Sequence, residues 1–148
     1  MNPFDLKSAL LARHAQHVVL IHFPIALFLA SVAFDFAAQW TRNTVLAAAA
    51  YYNLTVAAIS SLPVVATGLA AWRWQLEGQR LKGTLLLHLV LGVISSALIW
   101  LAWWLHFRGR KAERSLSRYR LWLEAIAAIT VALTAHLGGF LSGVNAPL

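Results

Sequence analysis

Residues 17–40 read HVVLIHFPIALFLASVAFDFAAQW, and this stretch decides the fold. The run is longer than the ~20 residues a helix needs to cross the hydrocarbon core of a bilayer. Its ionisable side chains are His17, His22 and a single carboxylate, Asp35. Three runs of the same kind follow, at about 44–72, 84–107 and 119–142. The breaks between them are Thr41-Arg42-Asn43, Arg73 to Gly83 and Arg108 to Arg118, each carrying cations or turn-forming residues. The expected fold is all-α: one integral membrane domain over 1–148, a four-transmembrane-helix bundle running up-down-up-down. Trp40, Trp72, Trp74, Trp100, Trp103, Trp104 and Trp122 fall at segment ends, as an interfacial aromatic belt requires.

Composition excludes most other classes. The chain is 60% hydrophobic and only 11% charged, against about 25% charged for a soluble domain, and its mean hydropathy is +0.67. Nearly all of it is span and short loop, which leaves no room for a soluble enzyme module. It has no cysteine, which removes disulfides, iron–sulfur clusters and thiolate ligands. The net charge of +7 does not point to nucleic acid, because the cations cluster beside the spans, where anionic headgroups and topology account for them. Met1 to Lys7 lacks the basic start and small-residue cleavage site of a removable signal, so the first span is expected to be retained. Asn2 as cap and Pro3 at the first helical position suit a short interfacial helix over about 3–15.

Loops one and three hold Arg42, Arg108, Arg110, Lys111, Arg114, Arg118 and Arg120, whereas the N-terminus and loop two hold Lys7, Arg13, Arg73, Arg80 and Lys82. The bias places loops one and three in the cytoplasm and both termini in the periplasm of a bacterial inner membrane. His22 lies near the start of the first segment, His88 near the start of the third and His136 near the end of the fourth. Alternating helix direction brings all three to one end, the outer one. Ionisable groups within a membrane are costly and mark functional sites, and imidazole is the side chain that haem iron, zinc and copper accept most readily.

Small residues follow these histidines at helical spacing: Ala26 after His22, Gly92 after His88, and Gly139 and Gly143 after His136. Gly139 to Gly143 is also a helix-packing motif of the small-xxx-small kind. The end of segment two, Thr67-Gly68-Leu69, matches the end of segment four if Gly68 is set against His136, and His22 and His88 then open two equivalent hairpins. This is a faint internal repeat, a duplicated helical hairpin. His17, five residues from His22, lies about 140° round the helix from it and reads as interfacial, while His14 and His106 read as solvated margins. Asp35 and Glu124 lie toward the other end, where either pairs with Arg120 or Arg42 as a structural ion pair more readily than as a proton relay. Pro24 and Pro63 are expected to kink or open their helices.

His17-Val18-Val19-Leu20-Ile21-His22-Phe23-Pro24, an H-x4-H-F-P start, resembles the opening of a bacterial family of small four-helix inner-membrane proteins of unknown function. Thr67-Gly68-Leu69, His88, and Gly138-Gly139-Phe140-Leu141 close to His136 resemble further features of that family, so the likeness covers nearly the whole chain. It implies the four-helix fold and the membrane location, and some relatives look fused to or encoded beside cytochrome-like domains. Where members continue with Asp after the Gly-Leu of segment two, this chain has Ala70-Ala71-Trp72. Where they continue with Tyr and a Gly-Val run after segment four, it has Ser142-Gly143-Val144-Asn145.

The favoured expectation is haem b held by two of His22, His88 and His136, with Gly92, Gly139 and Gly68 giving the porphyrin edge room and Arg73, Arg80, Lys82 and Trp72 near the propionates. The same three histidines could instead hold zinc or copper, or one of them could bond a quinone. Such a chain is an electron-transfer or accessory subunit rather than an independent enzyme. Its partners would be the lipid bilayer and other membrane or periplasmic redox subunits, in a homo- or hetero-oligomer. The reading from another class is a non-catalytic assembly subunit of a membrane complex, with no cofactor.

Overall fold

The computed structural model describes residues 13–74, 78, 80–111 and 118–142. The interfacial helix expected at the N-terminus falls almost wholly outside these residues, as do Gly143 to Asn145. Five helices are formed: α1 (Arg13–Leu20), α2 (His22–Thr41), α3 (Thr44–Trp74), α4 (Gly83–Lys111) and α5 (Arg118–Leu141), with no strand among the described residues. Four spans are long and apolar enough to cross a membrane: Gln16–Thr41, Thr44–Trp74, Gly83–Arg110 and Tyr119–Leu141. The expected boundaries hold to within a few residues, and the differences have local causes.

Pro24 has no N–H for the carbonyl of Leu20, so the first span divides at Ile21 into α1 and α2. Ile21 itself stays in the right-handed helical region, and bonds from Ile21 N to His17 O (3.1 Å) and Ile25 N to Ile21 O (3.4 Å) carry the helix across the break. Pro63 leaves its helix continuous: α3 runs through it for 31 residues. Loop one is tight. Arg42 takes a left-handed conformation (φ 54°) that stops α2, and the Asn43 side-chain oxygen accepts hydrogen bonds from Val45 N (2.8 Å) and Leu46 N (3.3 Å) as the cap of α3.

These short connections build two antiparallel hairpins, α2 on α3 and α4 on α5. α3 also packs against α4 and α2 against α5, which leaves α2 and α4 diagonal. The core consists of Phe28, Leu54, Ala57, Ala58, Ile99, Ala102, Ala127 and Val131. Alanine is common at these contacts because small side chains let helix backbones approach where no water drives association. Hydrogen bonds tie the hairpins internally: Ser31 Oγ donates to the Ala50 carbonyl (2.7 Å), and Ser95 Oγ lies 3.0 Å from Thr134 Oγ1. Trp103, expected in the interfacial belt, instead donates its indole N–H to Thr55 Oγ1 (3.2 Å) between α4 and α3.

The internal repeat is present in the buried positions, in a different register from the expected one. Pro24, Phe28, Ser31 and Asp35 of α2 are buried, and so are Ser95, Ile99, Ala102 and His106 of α4, each 71 residues later. Ala50, Leu54, Ala57 and Ser61 of α3 correspond with Arg120, Glu124, Ala127 and Val131 of α5, 70 residues later. In this register the partner of His88 is His17 rather than His22, and the partner of Gly68 is Gly138 rather than His136.

Candidate functional site

The two ends of the bundle are built differently. At the loop-one and loop-three end, four ionisable side chains are each 4% exposed or less: Asp35, His106, Arg120 and Glu124. Arg120 Nη2 donates to both oxygens of Asp35, at 2.6 Å for Oδ1. Arg120 Nε lies 3.5 Å from Glu124 Oε1, one turn further along α5. The same Glu124 oxygen is 2.6 Å from His106 Nε2. The chain Asp35–Arg120–Glu124–His106 therefore links α2, α5 and α4. A pocket of about 250 Å³ reaches it from the loop-one side, lined by Asp35, His106 and Arg120 together with Thr44, Tyr51 and Arg110. The Arg110 guanidinium lies 4.4 Å from the Tyr51 ring centroid, in cation–π contact.

An ion pair of Asp35 or Glu124 with Arg120 or Arg42 was expected, and it forms between Asp35 and Arg120. His106 was not expected beside it: it stands inside the bundle rather than at a solvated margin, because it falls on the buried stripe of α4 three turns after Ser95. Arg120 is correspondingly withdrawn from the loop cations into the core. Asp35, His106 and Glu124 offer donor atoms within 4.8 Å of one another. Arg120 nevertheless occupies both Asp35 oxygens, so the cluster already contains its own cation.

At the other end the histidines fall into two groups. His17 and His88 are half-buried and lie against the facing helix of their own hairpin. His88 Nδ1 bonds the Thr134 carbonyl (3.0 Å). A carbonyl only accepts, so Nδ1 carries the proton and the lone pair is on Nε2 in the neutral ring. His17 Nδ1 lies 3.0 Å from Thr67 Oγ1. That hydroxyl spends its proton on the Pro63 carbonyl (2.8 Å), so His17 also donates from Nδ1 and keeps its lone pair on Nε2. Glycine makes room for each ring. A Cβ on Gly68 would stand 3.0 Å from His17 Cε1, and one on Gly138 would stand 3.2 Å from His88 Cε1.

The glycines that meet histidine rings thus belong to the facing helix. Gly92, one turn after His88, faces Thr134 instead, with 3.8 Å from its would-be Cβ to Cγ2; Gly139 is half-buried. His22 is exposed, and its Nδ1 donates back to the Val18 carbonyl of its own turn (2.7 Å). His136 is exposed as well, edge-on to Phe140 with 5.0 Å between ring centroids. His88 therefore lies among groups of α5 near His136, whereas His22 keeps to its own helix. The His14 side chain lies outside the described ones.

Packing separates the ends more sharply than chemistry does. Every buried residue among the described ones lies between the layer of Pro24, Ser61, Ser95 and Val131 and the loop-one and loop-three end. Beyond that layer, over 16–23, 62–74, 80–94 and 132–142, no described side chain is buried. Among the described residues, one half of the bundle has a core and the half that holds His17, Gly68, His88 and Gly138 has none.

A family model for predicted membrane proteins, DUF2231, matches residues 13–145. The chain belongs to this family of predicted membrane proteins, which agrees with the expectation of a membrane-protein family of unknown function. No curated protein and no solved structure matches it.

Proposed function

We propose that this member of the DUF2231 family is a haem b-binding electron-transfer subunit of the bacterial inner membrane, with His17 and His88 as the axial ligands. One observation carries the reading: the histidine half of the four-helix bundle lacks buried side chains among the described residues, while the other half is closely packed. A bundle interior left unfilled by its own side chains is where cofactors sit in helical proteins.

The residues present fit the group. His17 and His88 are equivalent in the repeat, 71 residues apart, and the spans that carry them, Gln16–Thr41 and Gly83–Arg110, are diagonal in the bundle. Each histidine holds its Nδ1 proton against an oxygen of the neighbouring helix, which sets the tautomer and restrains the ring, as the outer-shell partner of a metal-bound imidazole does. Gly68 and Gly138 let both rings lean against their hairpins. Arg73, Arg80 and Lys82 are exposed at this end, as counter-ions for propionates. A bound haem would supply a one-electron ferric–ferrous couple there, tuned by two imidazoles and by burial. With Arg120 in the core, Arg42, Arg108, Arg110, Lys111, Arg114 and Arg118 still flank the opposite end. Their bias sets that end in the cytoplasm and the histidine end toward the periplasm, where a redox partner subunit would meet it.

The test is a visible spectrum of protein purified from haem-replete cells. A Soret band and sharp α and β bands on reduction are expected, as for low-spin iron with two strong-field imidazoles. His17→Ala and His88→Ala should each abolish the low-spin bands, while His22→Ala and His136→Ala should retain them. If His22 or His136 proves essential and His17 dispensable, the ligand assignment is overturned and haem binding stands. A colourless, stable and correctly assembled protein overturns both, in favour of a structural subunit of a membrane complex.

A further inference from the structure

We propose that the Asp35–Arg120–Glu124–His106 cluster is a proton-binding site that loads and unloads one proton through the pocket at the loop-one end. The inference is independent of haem binding, since it concerns the packed half of the bundle.

Charge and geometry carry it together. Arg120 contributes one permanent positive charge. Asp35 and Glu124 contribute two negative charges when both are ionised, and a neutral His106 contributes none. The cluster is then singly negative, and one added proton makes it neutral. Burial away from water favours the form without net charge. Asp35 is not the seat of that proton, because Arg120 donates to both of its oxygens. The seat is the His106–Glu124 pair: a neutral His106 already donates Nε2–H to Glu124 Oε1 across 2.6 Å, so the added proton enters at His106 Nδ1 or at Glu124 Oε2. There the proton can rest on imidazole or carboxyl with the same total charge.

A structural ion pair would use up its polar atoms, and this one does not. Glu124 Oε2 and Arg120 Nε and Nη1 are buried with no hydrogen-bond partner. The cluster thus retains donors and an acceptor beyond those its four side chains satisfy among themselves. It also has a route to water: the pocket reaches Asp35, His106 and Arg120. The groups facing the His106–Glu124 pair are Asp35 from α2, Tyr51 from α3, Arg110 from its own helix and Arg120 from α5. Arg110 stands at the pocket as a fixed cation and stabilises the unloaded, negative form, so both states are accessible. The step forms an N–H or O–H bond at the pair at the expense of a water-borne proton, and no electron moves.

The experiment isolates Glu124 without disturbing the cluster. The chain has three glutamates, Glu77, Glu113 and Glu124. Glu77→Gln with Glu113→Gln leaves Glu124 as the only one. With carbon-13 glutamate and nitrogen-15 histidine, solid-state NMR in liposomes follows carboxyl and imidazole shifts against pH. A single one-proton step is expected, in which the Glu124 carboxyl and one imidazole move together. That imidazole signal should be lost in His106→Gln. A Glu124 shift that stays constant over the whole range in which the protein remains folded, or one that moves with no imidazole following, overturns the proposal.

Discussion

The two halves of this bundle solve opposite problems with the same fold. In the half toward loops one and three, the repeat positions Asp35 and His106 and the α5 residues Arg120 and Glu124 are buried and joined across three helices. In the other half, His17 and His88 each hydrogen-bond an oxygen of the facing helix beside a glycine, and no described side chain is buried. The repeat makes the comparison sharper. At the central layers both hairpins bury mainly apolar or small residues, Phe28 in the first corresponding by register to Ile99 in the second; at the charged layer the first hairpin has Ala50 and Leu54 where the second has Arg120 and Glu124. At the histidine layer the hairpins agree, with His17 and Gly68 against His88 and Gly138. The charged cluster therefore breaks the repeat and the histidine pair preserves it. The proposed haem site, with equivalent ligands on two hairpins, would use that preserved symmetry.

The largest expected effect lies in the charged half. Arg120→Met leaves Asp35 and Glu124 buried without their cation. Removing one partner of such a buried pair costs about 3–5 kcal/mol. Thermal or denaturant unfolding in detergent should show this loss, and Arg120→Met with Asp35→Leu should recover a substantial part of it. A single variant as stable as the wild type would mean that the charged half is not a coupled core.

The histidine half should respond differently. Gly68→Val and Gly138→Val push side chains into spaces where even a Cβ would stand only 3.0 and 3.2 Å from the His17 and His88 rings. Crowding of this kind costs about 1–3 kcal/mol in a packed site. Here the rings can swing aside, so the fold should survive while the low-spin haem signal is lost. Retained haem in both variants would show that these glycines do not set the histidine geometry. The smallest effect is expected at the hydrogen bond that closes the first hairpin. Ser31→Ala removes the 2.7 Å bond to the Ala50 carbonyl, and such bonds within membranes average about 0.6 kcal/mol. A loss several times larger would mean that the layer between the two halves is coupled to one of them.

Much of this was legible in the sequence. Apolar run length and cation-bearing breaks located the spans, and Asp35 and Glu124 read as partners for Arg120 or Arg42, of which the Asp35–Arg120 pair forms. What was missed shares one cause, the face on which a residue falls. His17, Pro24, Phe28, Ser31 and Asp35 follow one another at steps of seven, four, three and four, and His88, Ser95, Ile99, Ala102 and His106 repeat those steps. That stripe points His17 and His106 inward and leaves His22 outside. Segment ends and motif spelling drew attention to His22 and His136 instead. The absence of a core in one half was not legible at all: its residues are as apolar as those of the packed half, and only the helix packing distinguishes lining from filling.

The central claim is that one half of the bundle is completed by a ligand and the other by its own side chains. The chain has no cysteine, so pairs can be introduced without background and spin-labelled. Leu69→Cys with Leu141→Cys reports on the diagonal α3 and α5 at the histidine end; Val45→Cys with Tyr119→Cys reports on the same helices at the charged end, all four positions being exposed. Pulsed-dipolar distances should then be measured in nanodiscs with and without added haem. The account predicts a broad distribution at the histidine end that narrows when haem binds, and a narrow one at the charged end that does not change. Equal narrow distributions at both ends without haem, unaltered by its addition, would contradict it.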